Sequence, residues 1–363
     1  MLATIVSTSG STPASAFSKM VVKGKGTGWV GTVGGGCMEG DVLEAAKSLY
    51  EQRLTRVLAF SLNENDMVQG LICGGSLEVL VEPLTRDHIP LIKEMMMLRD
   101  NGDDGVIATF LDKERSVLKR LFKSPGDTAG VVKQWTLILQ QEPALQAWRR
   151  SVDELAGETG KAHHRHETRR IVIGEGEVIL EPLQGRPHLM VFGGGHVSRS
   201  LSRTAAMSGF RVTVIDDRKE YAHADRFPEA DATIVAEFYD AFNHLTVGPS
   251  TYIVIVTRGH RSDEEVLEQA LRTPAKYVGM IGSRRKVLTT YQHLVDRGTD
   301  VDALRRLHAP VGLDIGAVTA EEIGVSVVAE LISVRRHGVD PVVHMSHGMG
   351  GLLDGLVKKK PPA

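Results

Sequence analysis

The chain has 363 residues, 42% of them hydrophobic and 24% charged, with a net charge of −2. That balance suits a soluble protein with two or three apolar cores, and it supplies no global field for nucleic acid or acidic membranes. Two cysteines are too few for a disulfide scaffold, no run of about 18 apolar residues suits a membrane helix, and the start MLATIVSTSGSTP lacks the features of a secretory signal, so a cytoplasmic location is expected.

Residues 2–8 and 19–23 read as strands, and residues 29–33 as a third that runs into Gly34, Gly35 and Gly36. Residues 41–50 carry apolar side chains at helical spacing, with Met38 and Glu39 in the first turn. Three glycines ahead of a helix form a nest of N–H groups sized for a phosphate or a cofactor. Cys37 stands at the entry to that helix, where the dipole favours thiolate. Cys73, followed by Gly74 and Gly75, has a similar setting. Thiolates bind soft metals and take part in sulfur transfer. The same two residues are also compatible with inert side chains in turns.

Residues 55–62 and 76–81 read as strands, 89–98 as a helix and 105–111 as a strand. Residues 113–170 have a weaker pattern. A helix is expected over 144–155, then a solvated loop containing Gly157, Gly160, His163, His164, Arg165 and His166. No spacing places the histidines on one helix face, and Arg165 would repel a cation. Strands over 170–173 and 177–180 follow, with residues 182–187 as a linker.

The second half opens with the strongest signal in the chain. The apolar run Leu189 to Phe192 ends in Gly193, Gly194 and Gly195. A helical pattern begins at His196, and a second apolar run, Val212 to Ile215, ends in Asp216 and Asp217. This is the opening β-α-β of a dinucleotide-binding fold, in which glycines admit a phosphate to a helix start and an acid binds ribose hydroxyls. Ser198 stands where the pattern has its third glycine. Strands over 233–236, 252–257 and 277–281 and helices over 263–271, 284–297 and 319–336 continue the alternation, with Thr319 and Glu322 as a capping box. Alternating strands and helices predict a parallel sheet with ligands at the carboxyl ends of the strands.

Several loops therefore converge. Gly282, Ser283, Arg284, Arg285 and Lys286 join a helix start, a hydroxyl and three cations, which suits an anion or marks an ordinary basic helix start. His260 and Asp263 are candidates for a general acid/base pair, or for structural hydrogen bonding. Arg218 and Arg258 are candidates for a phosphate contact, or rim or ion-pair residues.

Taken together, the segments GSTPASAFSKM, GTVGGGCMEGDV, CGGSLEVLVEPL, VFGGGHVSRSLSRTAAMSGFRVTVIDDR, RFPEA, YIVIVTRGHRSDEEVL, YVGMIGSRRK and APVGLDIGAVTAEEIGVSVVAELI resemble the XdhC/CoxI family of accessory factors for xanthine dehydrogenase and related molybdenum hydroxylases. The resemblance implies an α/β chain in which an N-terminal α/β XdhC-type domain precedes a C-terminal Rossmann-like domain with a doubly wound parallel sheet. The expected divisions are 1–84, an intervening α/β segment and linker over 85–186, 187–340, and a tail over 341–363. It further implies a maturation chaperone more than an enzyme. Such a factor binds the molybdenum cofactor (molybdopterin, free or as a dinucleotide), favours its sulfurated form and delivers it to an apo hydroxylase, with a cysteine desulfurase as a further partner. A homodimer is the expected assembly. On that basis Gly193, Gly194, Gly195, His196, Asp216, Gly282, Ser283, Arg284 and Lys286 are assigned to the phosphorylated tail. Gly34, Gly35, Gly36, Cys37, Cys73 and Gly74 are assigned to the second loop pair, with Cys37, then Cys73, at the molybdenum or its sulfur. Two other readings fit the Rossmann segment alone: an NAD(P)-dependent oxidoreductase, and a nucleotide-sensing module without catalysis.

Overall fold

A computed structural model describes residues 1–12, 16, 18–24, 26–61, 75–112, 117–123, 127–165 and 167–337. The chain forms two compact units, one from Met1 to Arg186 and one that begins at Pro187.

The first unit is built on two antiparallel sheets. Strands β1 (Leu2–Ser9), β2 (Lys19–Lys23) and β3 (Gly28–Gly31) precede helix α1 (Gly36–Gln52), and β4 (Arg56–Ser61) and β5 (Ser76–Glu82) complete a sheet of order β3-β2-β1-β5-β4. Helix α1 lays Met38, Val42, Ala46 and Leu49 on Ala3, Ile5, Met20, Val22, Leu77, Val79 and Val81. Helix α2 (Ile89–Asn101) leads to β6 (Gly105–Leu111) and β7 (Val117–Lys123), then to α3 (Thr128–Gln141), α4 (Val152–Arg165), β8 (Arg169–Ile173) and β9 (Gly176–Leu183). These strands form the sheet β7-β6-β9-β8. Val6 and Leu80 of the first sheet pack against Leu111 and Ile179 of the second. Beside them the Lys119 ammonium pairs with the buried Glu82 carboxylate at 2.9 Å.

The weakly patterned middle differs most from expectation. Residues 143–151 form a 3-10 turn, and α4 then runs straight through Gly157, Gly160, His163 and His164, where a loop is expected from sequence. Burial overrides the glycines. Leu155, Ala156, Thr159 and Ala162 are buried on one face of α4. There the indole N–H of Trp135 donates to Thr159 Oγ1 at 3.0 Å. A Cβ at Gly157 or Gly160 would meet nothing within 4 Å, so these glycines lie where packing asks nothing of them. Helix α3 itself is capped by the Asp127 carboxylate, which accepts from the Ala129 and Gly130 amides.

In the second unit, β10 (His188–Phe192), α5 (His196–Met207), β11 (Arg211–Asp216), β12 (Ala232–Val235), β13 (Thr251–Ile255), α6 (His260–Ala270), β14 (Tyr277–Met280), α7 (Arg284–Asp296), α8 (Val301–Leu304), β15 (Leu307–His308) and α9 (Ala320–His337) follow in order. The sheet is parallel throughout, in the order β12-β11-β10-β13-β14-β15, which is the doubly wound arrangement expected from sequence. Its central strands are continuous apolar runs because helices cover both faces. Leu201 and Ala205 of α5 and Val327, Val328 and Leu331 of α9 cover one face. Val266 and Leu267 of α6 and Val287 and Leu294 of α7 cover the other. Each of these valines and leucines, fully buried, contributes about 1.5–3 kcal/mol. Gly324 lets α9 approach α5 closely, since a Cβ there would lie 3.0 Å from Leu201 N. The α9 capping box forms as expected: Glu322 accepts from the Val318 and Thr319 amides, and the Glu322 amide donates to Thr319 Oγ1.

Candidate functional site

The strand order reverses between β10 and β13, so the carboxyl ends of these strands open the crevice where doubly wound sheets bind ligands. The loop after β10 is held from inside. Gly193 has φ +106, and a Cβ there would sit 2.4 Å from Val256 O. A Cβ on Gly194 would sit 2.4 Å from Tyr221 O. The Gly193 amide donates to Ile215 O at 2.7 Å. The Gly194 amide donates to Asp216 Oδ2 at 2.7 Å, and its carbonyl accepts from Arg226 Nη2 at 3.1 Å. Ser198 is buried and its hydroxyl donates to Gly193 O, so the serine in the third glycine position ties α5 back to the loop. Gly195 differs. It is the N-cap of α5 with no side-chain cap, and a Cβ there would meet nothing within 4 Å. The first turn of α5, from Gly195 through the exposed His196, is therefore the outward part of the loop.

Asp216 is 1% exposed. Besides Gly194, its carboxylate takes the Arg218 amide at 3.0 Å and the guanidinium at 2.9 and 3.1 Å. Burial alone would raise its pKa, but the hydrogen bonds from Arg218 and Gly194 hold it below the ordinary carboxylate value. The group expected to read a ribose is thus already engaged in fixing its own loop. Arg218 lies over the Tyr221 ring at 3.5 Å. Asp217 pairs with Arg218 at 3.4 Å and with Arg258 at 3.2 Å, so Arg218 and Arg258 are ion-pair residues.

The loops after β13 and β14 meet through Asp263 and Lys286. Asp263 is fully buried. Its carboxylate pairs with the Lys286 ammonium and accepts from Thr257 Oγ1 at 2.6 Å. Burial pushes its pKa above the ordinary value, against the pull of Lys286 and Thr257. Lys286 also donates to Ile281 O at 3.3 Å. Ser283 caps α7 by accepting from the Lys286 amide at 3.3 Å. The charge of Lys286 is therefore met within the protein, and Arg284 and Arg285 stand exposed on the first turn of α7. His260 is exposed at the start of α6; the partners of Asp263 are Thr257 and Lys286.

The first unit places Gly34, Gly35 and Gly36 together at the start of α1, with Cys37 its second residue. Glu39, unassigned from sequence, organises this loop: its carboxylate accepts from the Val33 and Gly35 amides at 3.3 and 3.1 Å and from the Thr32 hydroxyl. The Gly34 amide donates to Thr32 Oγ1 at 3.0 Å. Cys73 and Gly74 lie outside the described residues. Among the described residues, no group of His, Cys, Asp or Glu is arranged to hold a metal ion, and no helix is long and apolar enough to cross a membrane.

A further cluster carries no sequence signal. Glu330 of α9 accepts from Tyr277 OH at 3.0 Å and from the Gly312 amide, and bonds His308 Nδ1 at 2.6 Å. These hydrogen bonds outweigh burial and hold Glu330 below the ordinary value, while burial raises Tyr277 well above its own. Contacts across such sequence separations leave no local signature.

Comparison with known proteins gives a consistent pattern. Residues 1–61 match the family described as XdhC and CoxI, and residues 189–331 match the XdhC Rossmann domain. A Bacillus subtilis protein named as a probable xanthine dehydrogenase subunit is 29% identical over 341 residues, 93% of either chain. The "Uncharacterized protein YqeB" of Escherichia coli is 36% identical over 153 residues, 42% of this chain and only 28% of that longer protein. A crystal structure titled as a xanthine dehydrogenase from Bacillus halodurans has the same fold, with a TM-score of 0.72 and 24% identity over 94% of this chain and 93% of that one.

Proposed function

The chain belongs to the XdhC and CoxI family, and from that premise we propose that it serves the maturation of a xanthine dehydrogenase-type molybdenum hydroxylase by binding the molybdenum cofactor, guarding its sulfurated form and delivering it to the apo-enzyme. The observation that carries this reading is the pair of family matches, one in each unit, in a chain aligned with its Bacillus subtilis relative over 93% of both lengths.

The residues of the second unit fit the anionic tail of such a cofactor. The first turn of α5 has no side-chain cap and an open space at Gly195 that any Cβ would enter, which is what a helix start needs to admit a phosphate. Arg284 and Arg285, exposed on α7, would supply charge to the same anion. Gly193, Gly194 and Asp216 would act by fixing the loop, and Lys286 by tying α7 to Asp263. The cofactor, when bound, supplies the redox-active metal that the client enzyme uses; this chain's part is to hold, shield and release it. Cys37, at the start of α1, is assigned to the soft end and Cys73 is the alternative. A cysteine desulfurase is the corresponding source of sulfur.

The test is to purify the chain from cells that make the cofactor and to assay molybdenum and pterin. The expected result is stoichiometric pterin in the wild type and loss of the sulfurated form in Cys37→Ser. Melting curves with NADH, NADPH and molybdopterin separate this reading from a dehydrogenase, because a ligand of the folded state raises the midpoint. A shift with nicotinamide nucleotides and none with molybdopterin would overturn it.

A further inference from the structure

Two carboxylates stand at the end of β11, and the chain itself uses both. Asp216 Oδ1 accepts from the Arg218 amide at 3.0 Å and from Arg218 Nε at 2.9 Å. Its Oδ2 accepts from the Gly194 amide at 2.7 Å and from Arg218 Nη2 at 3.1 Å. A carboxylate has about four lone-pair sites, so Asp216 has no acceptor capacity left. Its neighbour does not replace it. Asp217 Oδ2 accepts from Arg258 Nη2 at 3.2 Å, and Asp217 Oδ1, 3.4 Å from Arg218 Nε, is shut off from solvent. In a dinucleotide-binding sheet the acid at this position receives ribose hydroxyls. Those hydroxyls are donors, and a filled acceptor cannot take them.

The residue responsible is Arg218, which supplies three of the four bonds to Asp216, two of them from its guanidinium. That fork is also held from its far side. It lies 3.5 Å from the centre of the Tyr221 ring, and Arg226 lies 4.9 Å from the same centre. Arg226 in turn donates to Gly194 O. The stack therefore runs from Asp216 back to the glycine loop and fixes Arg218 over the acid. The first turn of α5, in contrast, is open at Gly195. The crevice offers a place to a phosphate and none to the ribose that would adjoin it.

We propose that Arg218 sets the class of ligand that the second unit accepts. By filling Asp216 it closes the ribose subsite, and the crevice takes a phosphomonoester rather than a nucleotide. This rests on the reading of the crevice as the anion site of the cofactor, and it names the end of the cofactor that fits: a pterin ending in a single phosphate. Arg218 acts here through Asp216 and is a specificity-determining residue, not a ligand contact.

The test is calorimetric titration of the full chain with ADP and with 2′,3′-dideoxy-ADP, which lacks the ribose hydroxyls, repeated on R218A and R218K. R218K keeps a charge beside Asp216 but loses the fork, so it serves if R218A does not fold; circular dichroism melts verify folding. The wild type is expected to bind the two nucleotides equally weakly or not at all. The variants are expected to bind ADP at least about tenfold more tightly than the dideoxy analogue, because hydroxyls bonded to a charged acceptor discriminate strongly. A purely structural Arg218 would lower the melt and create no such preference. A tenfold hydroxyl preference in the wild type, or folded variants without one, would overturn the proposal. Pterin content of the wild type tests the cofactor reading separately, and its absence would leave the closed ribose subsite standing.

Discussion

The carboxylate of Asp216, at the end of the second strand of the parallel sheet, accepts the amide of Gly194, in the loop after the first, at 2.7 Å. It does so while 1% exposed and gripped by Arg218. The acid that ends this strand is thus a brace for the glycine loop. Asp216→Ala leaves the buried Gly194 amide without its acceptor and leaves the Arg218 guanidinium only its longer pair with Asp217. The expected loss is about 1–3 kcal/mol in chemical denaturation. An unchanged midpoint would show that the brace carries no energy.

The three glycines after β10 are expected to separate by substitution. Gly194→Ala drives a Cβ to 2.4 Å from Tyr221 O and lowers the melting temperature. Gly195→Ala meets nothing within 4 Å at a φ of −75° and leaves the melt as it was. If a phosphate rests on the first turn of α5, that same Gly195→Ala lowers retained pterin. Full pterin content in Gly195→Ala would move the anion elsewhere.

Lys286 and its neighbours Arg284 and Arg285 are expected to behave oppositely. Lys286→Met strands the buried Asp263 carboxylate, and removal of one partner from a buried pair costs about 3–5 kcal/mol. Arg284→Met changes the melt by less than about 0.5 kcal/mol and weakens binding of the anionic ligand. Thermal melts and pterin assays on both variants check the contrast.

His188 makes stability depend on pH. Its ring is buried beside Thr213 Oγ1 at 2.8 Å and Arg211 Nη2 at 2.9 Å. Burial, aided by the Arg211 charge, lowers its pKa from 6.5 to about 4. Between those two values the unfolded chain binds the extra proton and the folded chain does not, so stability falls as pH falls. The contribution is complete above pH 6.5, and about 2 kcal/mol of it is lost by about pH 5. Denaturation of the wild type and His188→Gln at pH 6.5 and at about pH 5 should show the wild type losing about 2 kcal/mol more unfolding free energy than the variant over that interval. Equal losses would mean that the ring stays solvated.

Thr159→Val is expected to destabilise the first unit by about 1–3 kcal/mol, because the buried Trp135 indole N–H loses its acceptor. Near-ultraviolet circular dichroism of the tryptophans during unfolding reads this directly. A neutral substitution would show that the bond is dispensable to α4.

The doubly wound unit was legible because its strands are continuous apolar runs and its turns carry local chemistry: the glycines at 193–195, and Thr319 with Glu322 three residues on. α4 was not, since Gly157 and Gly160 argue against a helix and what outweighs them is tertiary: burial of Leu155, Ala156 and Ala162 and the bond of Thr159 with Trp135, 24 residues apart. Among candidate site residues, sequence marked Gly195 and Arg284 as readily as Gly194 and Lys286. The structure separates them, with one member of each pair open and the other bound inside the protein.

Periodicity and loop chemistry act over a few residues, and they suffice to determine where strands turn into helices and which loops collect at the carboxyl edge of the sheet. Whether a carboxylate or an ammonium in those loops faces a ligand or its own chain depends on partners many residues away. Asp216 meets Gly194, Lys286 meets Asp263, and Glu330 meets Tyr277. Only folding sets those distances, because only close packing excludes the water that would otherwise satisfy each group alone.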